Sequence, residues 1–365
     1  MKIAQIAPLI ESVPPRLYGG TERIVSYLTE ELVKEGHDVT LFASGDSVTS
    51  AKLVSCTRGA LRLDAKVKDP IPYYMLMLDR VRARAHEFDI LHFHIDQFHF
   101  PIFRPIANRT VTTLHGRQDL PDLRVLYFGF PEMPLVSISD AQRQPIPSAN
   151  FAATIHHGLP TQLHRPNTSS NGGYLAFLGR ISQEKRVDRA IQIARAANLP
   201  LKIAAKIDRT DESYFRDVVA PLLNQPGVEF VGEINEREKS SFLGNARALL
   251  FPIDWPEPFG LVMIEAMACA TPVLAFGHGS VPEIIENGRT GYVVRSVEEA
   301  IAKLPNVLAI DRDLVHRCFM TRFSANRMAK DYVKVYRKLI AAKGTKPEAQ
   351  SSLVPAVPER RSYVE

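Results

Sequence analysis

Cysteine is scarce in this sequence, and long apolar runs are missing. The three cysteines among 365 residues are Cys56, Cys269 and Cys318, and their wide spacing excludes a disulfide framework and a cysteine-based metal site. Because no run of about 18 apolar residues occurs, we predict no membrane-spanning helix. Residues 1–7 have the pattern of a strand and not of a secretion signal. These features together predict a cytoplasmic protein.

The sequence also lacks a strong excess of charge of either sign. Its 45 Lys and Arg residues exceed its 40 Asp and Glu residues by only five. A surplus this small does not indicate nucleic-acid binding, and we expect no nucleic-acid partner. The length of 365 residues and the apolar content of 45% instead predict a globular protein of two domains.

Short apolar runs alternate with helical periods through most of the sequence. Residues 2–7 are predicted to form a strand and residues 21–35 the helix that follows it. Further strands are predicted at residues 39–43, 90–93, 111–114, 135–138, 153–155, 174–178, 201–205, 228–231 and 249–251. Helices are predicted at residues 74–86, 186–197, 214–223 and 239–246. This alternation is typical of parallel sheets, so the predicted fold class is α/β.

A polar stretch rich in Pro, Gly and Ser, residues 161–173, is predicted to be a linker. It divides the sequence into a first domain, residues 1–160, and a second domain, residues 174–323. Residues 324–342 show the apolar spacing of an amphipathic helix that can pack back on the first domain. The remaining residues, 343–365, are predicted to be a disordered tail.

Two glycines, Gly19 and Gly20, stand between the first predicted strand and its helix. Ligands of open α/β sheets bind at the carboxyl ends of the strands, and a helix N-terminus there offers free backbone N–H groups to an anion. The same glycines would also suit an ordinary turn. They do not form the Gly-x-Gly-x-x-Gly pattern of dinucleotide-binding proteins.

The second domain opens with a predicted strand that is followed by Arg180 and Lys185. Two cations on one loop after a strand could bind the two phosphates of a nucleotide diphosphate. Solvated surface charge is an equally good interpretation of these two residues taken alone.

Two carboxylates, Glu257 and Glu265, lie eight positions apart around the start of an apolar helix. Prolines on both sides of Glu257 restrict its backbone. Glu265 lies within the apolar run, where a buried carboxylate requires hydroxyl groups or a cation as partners. The backbone N–H groups at the start of this helix, those of Phe259, Gly260 and Leu261, can bind a phosphate.

These segments resemble the retaining nucleotide-sugar glycosyltransferases of family 4. The resemblance extends over residues 1–340 and is most specific in the second domain: the Glu-x7-Glu pair, Gly-Arg-x-x-x-Glu-Lys at residues 179–185, and Pro-Glu-Pro-Phe-Gly at residues 256–260. It implies the GT-B fold, in which two Rossmann-like domains face each other across a cleft. It also implies a nucleotide diphosphate sugar as donor, an unidentified hydroxyl acceptor, and no cofactor or metal.

The resemblance implies a role for each matching residue. Arg180 and Lys185 would bind the donor diphosphate, Glu257 the hydroxyls of the transferred sugar, and Glu265 the ribose. His115, in Thr-Leu-His-Gly, would face the transferred sugar. The implied catalytic residues are His115, Arg180, Lys185 and Glu257, and the implied donor-binding residues are Gly19, Gly20, Arg180, Lys185, Glu257, Phe259, Gly260, Leu261 and Glu265.

Two segments depart from the family pattern. Residues 156–160 read His-His-Gly-Leu-Pro where many relatives have Asn-Gly-Val-Asp. Ala205 and Lys206 stand where relatives usually have a glycine after the strand. We therefore transfer no donor contacts from these two segments.

Two other functions are compatible with parts of the sequence. His92, His94 and Asp96 alternate along a predicted strand as the His-x-His-x-Asp ligands of zinc hydrolases do, although Gln97 and not a histidine follows Asp96. Packed core histidines are the simpler interpretation. A GT-B-shaped binding protein without turnover is the second alternative, but we would expect such a protein to have lost one of the charged site residues.

A weak peripheral contact with a membrane is a further hypothesis for the first domain. Arg80, Arg82 and Arg84 follow an apolar segment, residues 73–77, and together could form a basic and apolar surface. A solvated helix face is the simpler interpretation.

Overall fold

The computed structural model of the protein describes residues 1–16, 19–169 and 172–342. The predicted tail, residues 343–365, lies outside the described residues. The described residues form two α/β units, each built on one parallel sheet. This architecture confirms the predicted fold class of two Rossmann-like domains.

The first unit contains seven parallel strands in the order β3-β2-β1-β4-β5-β6-β7. Their bounds are β1 Lys2–Ile6, β2 Asp38–Ser44, β3 Lys52–Thr57, β4 Ile90–Phe93, β5 Thr110–Thr113, β6 Leu135–Ser137 and β7 Phe151–Thr154. Strands at the centre are apolar runs because a parallel sheet is covered on both faces. The apolar pattern does not predict β3, an edge strand whose side chains are mostly exposed or half-buried.

The second unit contains six parallel strands in the order β10-β9-β8-β11-β12-β13. Their bounds are β8 Leu175–Ile181, β9 Leu201–Ile207, β10 Val228–Gly232, β11 Ala248–Phe251, β12 Val273–Phe276 and β13 Gly291–Val294. β8 pairs with β9 along its whole length, as far as the pair Ile181↔Ile207. It therefore extends beyond the end that the sequence predicts, at residue 178.

Helices connect the strands of both sheets. Within the described residues their bounds are α1 Gly20–Lys34, α2 Ile71–Arg84, α3 Phe100–Phe103, α4 Pro121–Gly129, α5 Asp140–Arg143, α6 Val187–Ala196, α7 Glu212–Tyr214, α8 Ala220–Leu223, α9 Glu236–Gly244, α10 Leu261–Ala268, α11 Val281–Ile284, α12 Val297–Leu308, α13 Arg312–Arg322 and α14 Ala325–Ala342. A π-helical segment, Phe215–Val219, joins α7 to α8. Among these helices, none combines the length and the apolar character needed to cross a bilayer.

The terminal helix α14 lies against the first unit. The Tyr332 hydroxyl is 2.8 Å from the Thr113 hydroxyl at the end of β5. At the start of α14 the chain pairs with the segment that follows β7, where the N–H of Ala325 donates to the carbonyl of Leu159 at 2.8 Å. The chain therefore crosses from the second unit back to the first at its C-terminal helix.

Candidate functional site

The carboxyl ends of strands from both sheets border one cavity of about 700 Å³. This volume lies within the range of pockets that bind small molecules. Every residue that the resemblance assigns to the site lines this cavity: Gly19, Gly20, His115, Arg180, Lys185, Glu257, Phe259, Gly260, Leu261 and Glu265. The two units thus bring these distant sequence positions together, and the cavity is the candidate site.

The sequence predicts that Arg180 lies on the loop after the strand. In the structure Arg180 lies within β8, because pairing with β9 continues past it. Its side chain is 32% exposed and lies 3.6 Å from Glu184, 3.7 Å from Asp208 and 3.6 Å from Asp211. Arg180 therefore already has carboxylate partners, and a phosphate group would have to compete with them.

Lys185 lies on the loop between β8 and α6 and forms an ion pair with Glu257. Its ammonium group is 5.0 Å from the ring centre of Trp255, which is a cation–π distance. The indole N–H of Trp255 donates a hydrogen bond of 3.0 Å to the same oxygen of Glu257. The Glu257 carbonyl accepts a hydrogen bond of 2.9 Å from the N–H of Ser280. Both the side chain and the backbone of Glu257 are thus held in place.

Glu265 is buried in α10, with only 4% of its surface exposed. The cation that its burial requires is Lys239 on α9, whose Nζ is 2.7 Å from Oε1 of Glu265. Burial alone would raise the pKa of Glu265, but the nearby Lys239, with His164 and Arg23, holds that pKa below its ordinary value. Glu265 is therefore a charged acceptor of hydrogen bonds at neutral pH.

Lys239 belongs to a group of charges that joins the two units. Glu236 lies 3.3 Å from Lys239 and forms an ion pair with Arg23 of α1. Lys239 and Arg23 both line the cavity. No local sequence pattern indicates either residue, because Lys239 approaches Glu265 through the packing of α9 beside α10 and Arg23 through the docking of the two units.

One group of potential metal ligands occurs within residues 1–16, 19–169 and 172–342. Ligand atoms of His164, Glu236 and Glu265 lie within 4.8 Å of one another. Lys239 and Arg23 already supply positive charge to the two carboxylates. A metal ion would have to displace these side chains, so the group does not fit a resident metal.

The N-terminus of α10 borders the cavity beside the ion pair. Gly260 caps this helix with a left-handed φ of 77°. The first N–H groups of a helix have no partners within it and can bind an anion. Phe259, directly before the cap, is buried and fixed by a hydrogen bond of 2.9 Å from the Ser280 hydroxyl to its carbonyl.

On the first unit, Gly19 caps α1 and Gly20 begins it. His115 follows β5, and its Nε2 is 2.9 Å from Nδ1 of His94. Burial lowers the pKa of His115 to about 3, so its ring is neutral at physiological pH. A neutral imidazole can exchange hydrogen bonds with hydroxyl groups but brings no charge to a phosphate.

The segments that depart from the family pattern also border the cavity. His157 is buried, with its ring centre 5.4 Å from that of His115 and 4.8 Å from that of Phe259. Lys206 also lines the cavity, and its Nζ is 2.9 Å from Asp208. Where relatives have Asn-Gly-Val-Asp and a glycine after the strand, this chain therefore has an aromatic contact and an additional cation at the cavity.

The structure places the ring centres of His92 and His94 4.0 Å apart, but within the described residues Asp96 does not join them in a group of potential metal ligands. His92 is inside β4, but Asp96 is outside the strand and adopts a left-handed φ of 51°. Both ring nitrogens of His92 are engaged, by the hydroxyls of Tyr336 and Thr113, each at 2.7 Å. Both nitrogens of His94 are likewise hydrogen-bonded to protein side chains. The expected alternation of three ligands along one strand is therefore wrong.

The arginines of α2 all bond to nearby protein groups. Arg80 donates to a backbone carbonyl, and Arg82 and Arg84 each lie 2.8 Å from a carboxylate. Exposed apolar side chains occur near the opposite end of the helix, at Ile71, Met75 and Leu76. A membrane contact stays a prediction.

Two family descriptions match the chain. Glycosyl transferases group 1 matches residues 161–319, and Glycosyltransferase Family 4 matches residues 18–191. The chain is also 28% identical over 203 residues to alpha-maltose-1-phosphate synthase of Mycolicibacterium smegmatis. That alignment covers 50% of this chain and 50% of the synthase, so it spans half of that relative's length.

Two solved structures have a similar fold. Sucrose-phosphate synthase from Thermosynechococcus elongatus superimposes with a TM-score of 0.76 at 18% identity, over 93% of this chain and 99% of that chain. Anabaena HepE in complex with UDP and glucose superimposes with a TM-score of 0.69 at 17% identity, over 93% of this chain and 100% of that chain. Each superposition covers 93% of this chain and therefore extends over both units.

Proposed function

Because this chain belongs to the family 4 glycosyltransferases of the GT-B fold, we propose that it transfers a sugar from a nucleotide diphosphate sugar to an acceptor hydroxyl, with retention of the anomeric configuration. The observation that carries this proposal is the meeting of Lys185, Glu257, Glu265 and the N-terminus of α10 in one cavity. Each group suits a different part of such a donor.

The diphosphate is assigned to Lys185, Arg180 and the first N–H groups of α10. A cation and a helix N-terminus on one side of a cavity attract phosphate oxygens without a metal ion. Negative charge grows on the leaving phosphate as the bond to the sugar breaks. Fixed donors aimed at that charge stabilise the transition state, which is the largest catalytic contribution expected here.

The sugar and the ribose are assigned to the two glutamates. Glu257, on the proline-flanked loop, lies beside Lys185. Its carboxylate can accept hydrogen bonds from hydroxyls of the transferred sugar. Glu265 lies within α10, next to Lys239 of α9, and is assigned to the ribose hydroxyls. The neutral ring of His115 would face the sugar from the first unit.

Retention is proposed to occur without a protein nucleophile. The acceptor oxygen attacks the anomeric carbon on the face from which the diphosphate leaves, and the acceptor proton passes to an oxygen of the departing phosphate. Retaining glycosidases instead use two carboxylates about 5 Å apart around the anomeric carbon. Glu257 and Glu265 are already engaged by separate lysines, which supports binding roles for both.

The donor class is proposed to be a UDP-hexose. HepE, a structure of the same fold, was solved with UDP and glucose. UDP-glucose is therefore the first donor to test, followed by the GDP- and ADP-hexoses. The acceptor would enter from the first unit, beside His115 and Asp96.

The experiment is a donor screen by thermal unfolding, followed by transfer assays. A ligand at 100 times its dissociation constant should add about 2.7 kcal/mol to the free energy of unfolding. The best donor is then incubated with hydroxyl acceptors, and the anomeric configuration of the product is read by NMR. Lys185→Ala should lose the stabilisation, whereas Lys202→Ala, which removes a cation paired with Glu229, should keep it.

Absence of stabilisation by every nucleotide diphosphate sugar would contradict the proposed donor. Stabilisation without turnover, across acceptors of several classes, would instead support the binding protein without activity. Inversion of the anomeric configuration would contradict the mechanism while leaving transfer itself established.

A further inference from the structure

A continuous chain of hydrogen bonds runs from the cavity through the first sheet to α14. Nε2 of His115 is 2.9 Å from Nδ1 of His94, and Nε2 of His94 is 2.8 Å from Oε1 of Gln5. The amide nitrogen of Gln5 is 3.2 Å from the hydroxyl of Tyr336, which is 2.7 Å from Nδ1 of His92. All of these side chains except His115 are buried.

The direction of this chain follows from the hydrogen-bond partners of Tyr336. A neutral histidine donates through one ring nitrogen and accepts at the other, and burial keeps His92 neutral by lowering its pKa. His92 contacts two hydroxyls, that of Tyr336 at Nδ1 and that of Thr113 at Nε2. The Tyr336 hydroxyl contacts the amide nitrogen of Gln5, which can only donate, and Nδ1 of His92, so its own proton has Nδ1 as its acceptor. Tyr336 therefore donates to Nδ1, and Thr113 accepts from Nε2.

This direction determines where the protons lie as far as His115. The Tyr336 proton is used on His92, so the Tyr336 oxygen accepts from the amide nitrogen of Gln5. The carbonyl oxygen of Gln5 then faces His94 and can only accept, which places the His94 proton on Nε2. Nδ1 of His94 is left as an acceptor. His115 must donate to it, so the His115 proton lies on Nε2.

We propose that Tyr336 is a positioning residue which, through Gln5 and His94, holds His115 in the tautomer with an unprotonated Nδ1 for the bound substrate. This nitrogen forms no hydrogen bond within the part of the chain that the structure describes, and the ring lines the cavity. The proposal rests on the glycosyltransfer function above and names the partner class of His115. That partner is a group that donates a hydrogen bond, a sugar hydroxyl, and not a phosphate oxygen.

The test is the tautomer of His115, measured by ¹⁵N NMR of the histidine ring nitrogens in the full-length protein without substrate. The His115 signals are assigned by their loss in His115→Asn. We expect the proton on Nε2. Tyr336→Phe removes the donor to His92 and frees the Gln5 amide to rotate, so His115 should populate both tautomers. Gln5→Met, which has similar length but no amide, should do the same and replaces Tyr336→Phe if that variant does not fold.

Thr112→Val is the matched control. Thr112 lies on the same strand as Thr113, and its hydroxyl is 2.9 Å from Nε2 of buried His99. This hydrogen bond is outside the chain of hydrogen bonds that leads to His115. This variant also loses one buried hydroxyl–histidine hydrogen bond, and it should leave the His115 tautomer and the turnover unchanged.

Turnover provides a second readout. We expect Tyr336→Phe to lower kcat by about 10- to 100-fold with little change in the donor KM, as when partners that orient metal-bound histidines are removed. A wild-type His115 protonated on Nδ1, or folded Tyr336→Phe and Gln5→Met variants with the wild-type tautomer, would overturn the proposal. If the wild-type protein transfers no sugar, the proposed function fails, and the tautomer measurement still decides the role of Tyr336.

Discussion

The ammonium group of Lys185 and the carboxylate of Glu257 form an ion pair between two different loops of the second unit. Only 19% of the Lys185 side chain and 11% of the Glu257 side chain are exposed. Solvent screens such a pair less than a surface pair, and removal of one partner leaves the other charge poorly solvated. Substitutions at these two positions should therefore have coupled effects on the free energy of unfolding.

Lys185→Ala should lower kcat/KM by about 10²- to 10³-fold, because it removes a fixed cation from the charge that develops on the leaving phosphate. Arg180→Ala should lower kcat/KM in the same direction but less, since Arg180 is shared with three carboxylates. Steady-state kinetics with the identified donor give both values. The control is Lys202→Ala, outside the cavity. An unchanged kcat/KM for Lys185→Ala would show that this cation does not meet the diphosphate.

The two glutamates should contribute to different parts of the donor. Glu265→Gln should weaken binding of the free nucleotide diphosphate and of the nucleotide sugar by similar factors, because both contain the ribose. Glu257→Gln should leave the affinity for the free nucleotide nearly intact. It should reduce affinity for the intact donor, or its turnover, by about 1–3 kcal/mol, the usual cost of a lost bond to a buried charge.

Calorimetric titration of both variants with both ligands measures this difference. Glu229→Gln, which changes an exposed glutamate paired with Lys202, is the control and should bind both ligands like the wild type. Equal losses of free nucleotide by Glu257→Gln and Glu265→Gln would mean that the proposed division between sugar and ribose is wrong.

Much of the fold could be predicted because the central strands of both sheets are short buried apolar runs. β1, β4, β8 and β11 are of this kind. β3 lacks the signal because it is an edge strand with exposed side chains. β12 follows α10 closely, and both are apolar, so periodicity does not separate the strand from the helix.

The motif residues of the second unit could be assigned to a site because they lie next to the carboxyl ends of strands. Lys239 and Arg23 could not, because neither stands in a local pattern with the Glu265 that they approach. The alternation of His92 and His94 indicates a metal site only because the sequence does not reveal their distant partners. The hydroxyl of Tyr336 that engages His92 lies 244 positions later in the chain, where local spacing carries no information about it.

Gly279→Ala should damage the sugar site through the backbone of Glu257. Gly279 has a left-handed φ of 58°, and an added Cβ would overlap the backbone nitrogen and oxygen of Glu257. Gly36 also has a left-handed φ, of 81°, but an added Cβ would meet nothing within 4 Å. Gly36→Ala should therefore cost only the conformational penalty, about 1–2 kcal/mol, whereas Gly279→Ala should cost about 2–5 kcal/mol.

Denaturant unfolding measures both costs, and donor titration below the unfolding transition tests the site. Gly279→Ala should bind the nucleotide sugar more weakly, and Gly36→Ala should bind it like the wild type. Equal stability and equal donor binding in the two variants would show that Gly279 does not position Glu257.

Transfer activity should persist in EDTA. Lys239 and Arg23 already compensate the carboxylates of the one candidate metal group in the described part of the chain, and Lys185 supplies a cation to the cavity where the diphosphate is proposed to bind. Activity is measured before and after chelation, and the metal content of the purified protein is determined by mass spectrometry. One tightly bound zinc ion per chain, with activity lost on its removal, would contradict this expectation and support the alternative function of a zinc hydrolase.

Asp96→Asn should stabilise the fold at neutral pH. Burial raises the pKa of Asp96 from 3.8 to about 6, so the folded state binds the proton more tightly than the unfolded state. The wild-type protein should therefore lose stability as pH rises from about 4 to 6, and the loss should remain above pH 6. Asparagine does not titrate and tolerates the left-handed φ of 51° at this position.

The gain from Asp96→Asn should thus be absent below about pH 4, grow between about pH 4 and 6, and reach about 1–2 kcal/mol above that, allowing for partial contact with solvent. Denaturant unfolding at several pH values measures it. Asp119→Asn is the control of opposite sign, because the Arg117 guanidinium beside Asp119 lowers the pKa of that carboxyl, and this variant should gain nothing at any pH. A gain from Asp96→Asn that is the same at pH 4 and pH 7 would mean that the ionisation of Asp96 does not cause it.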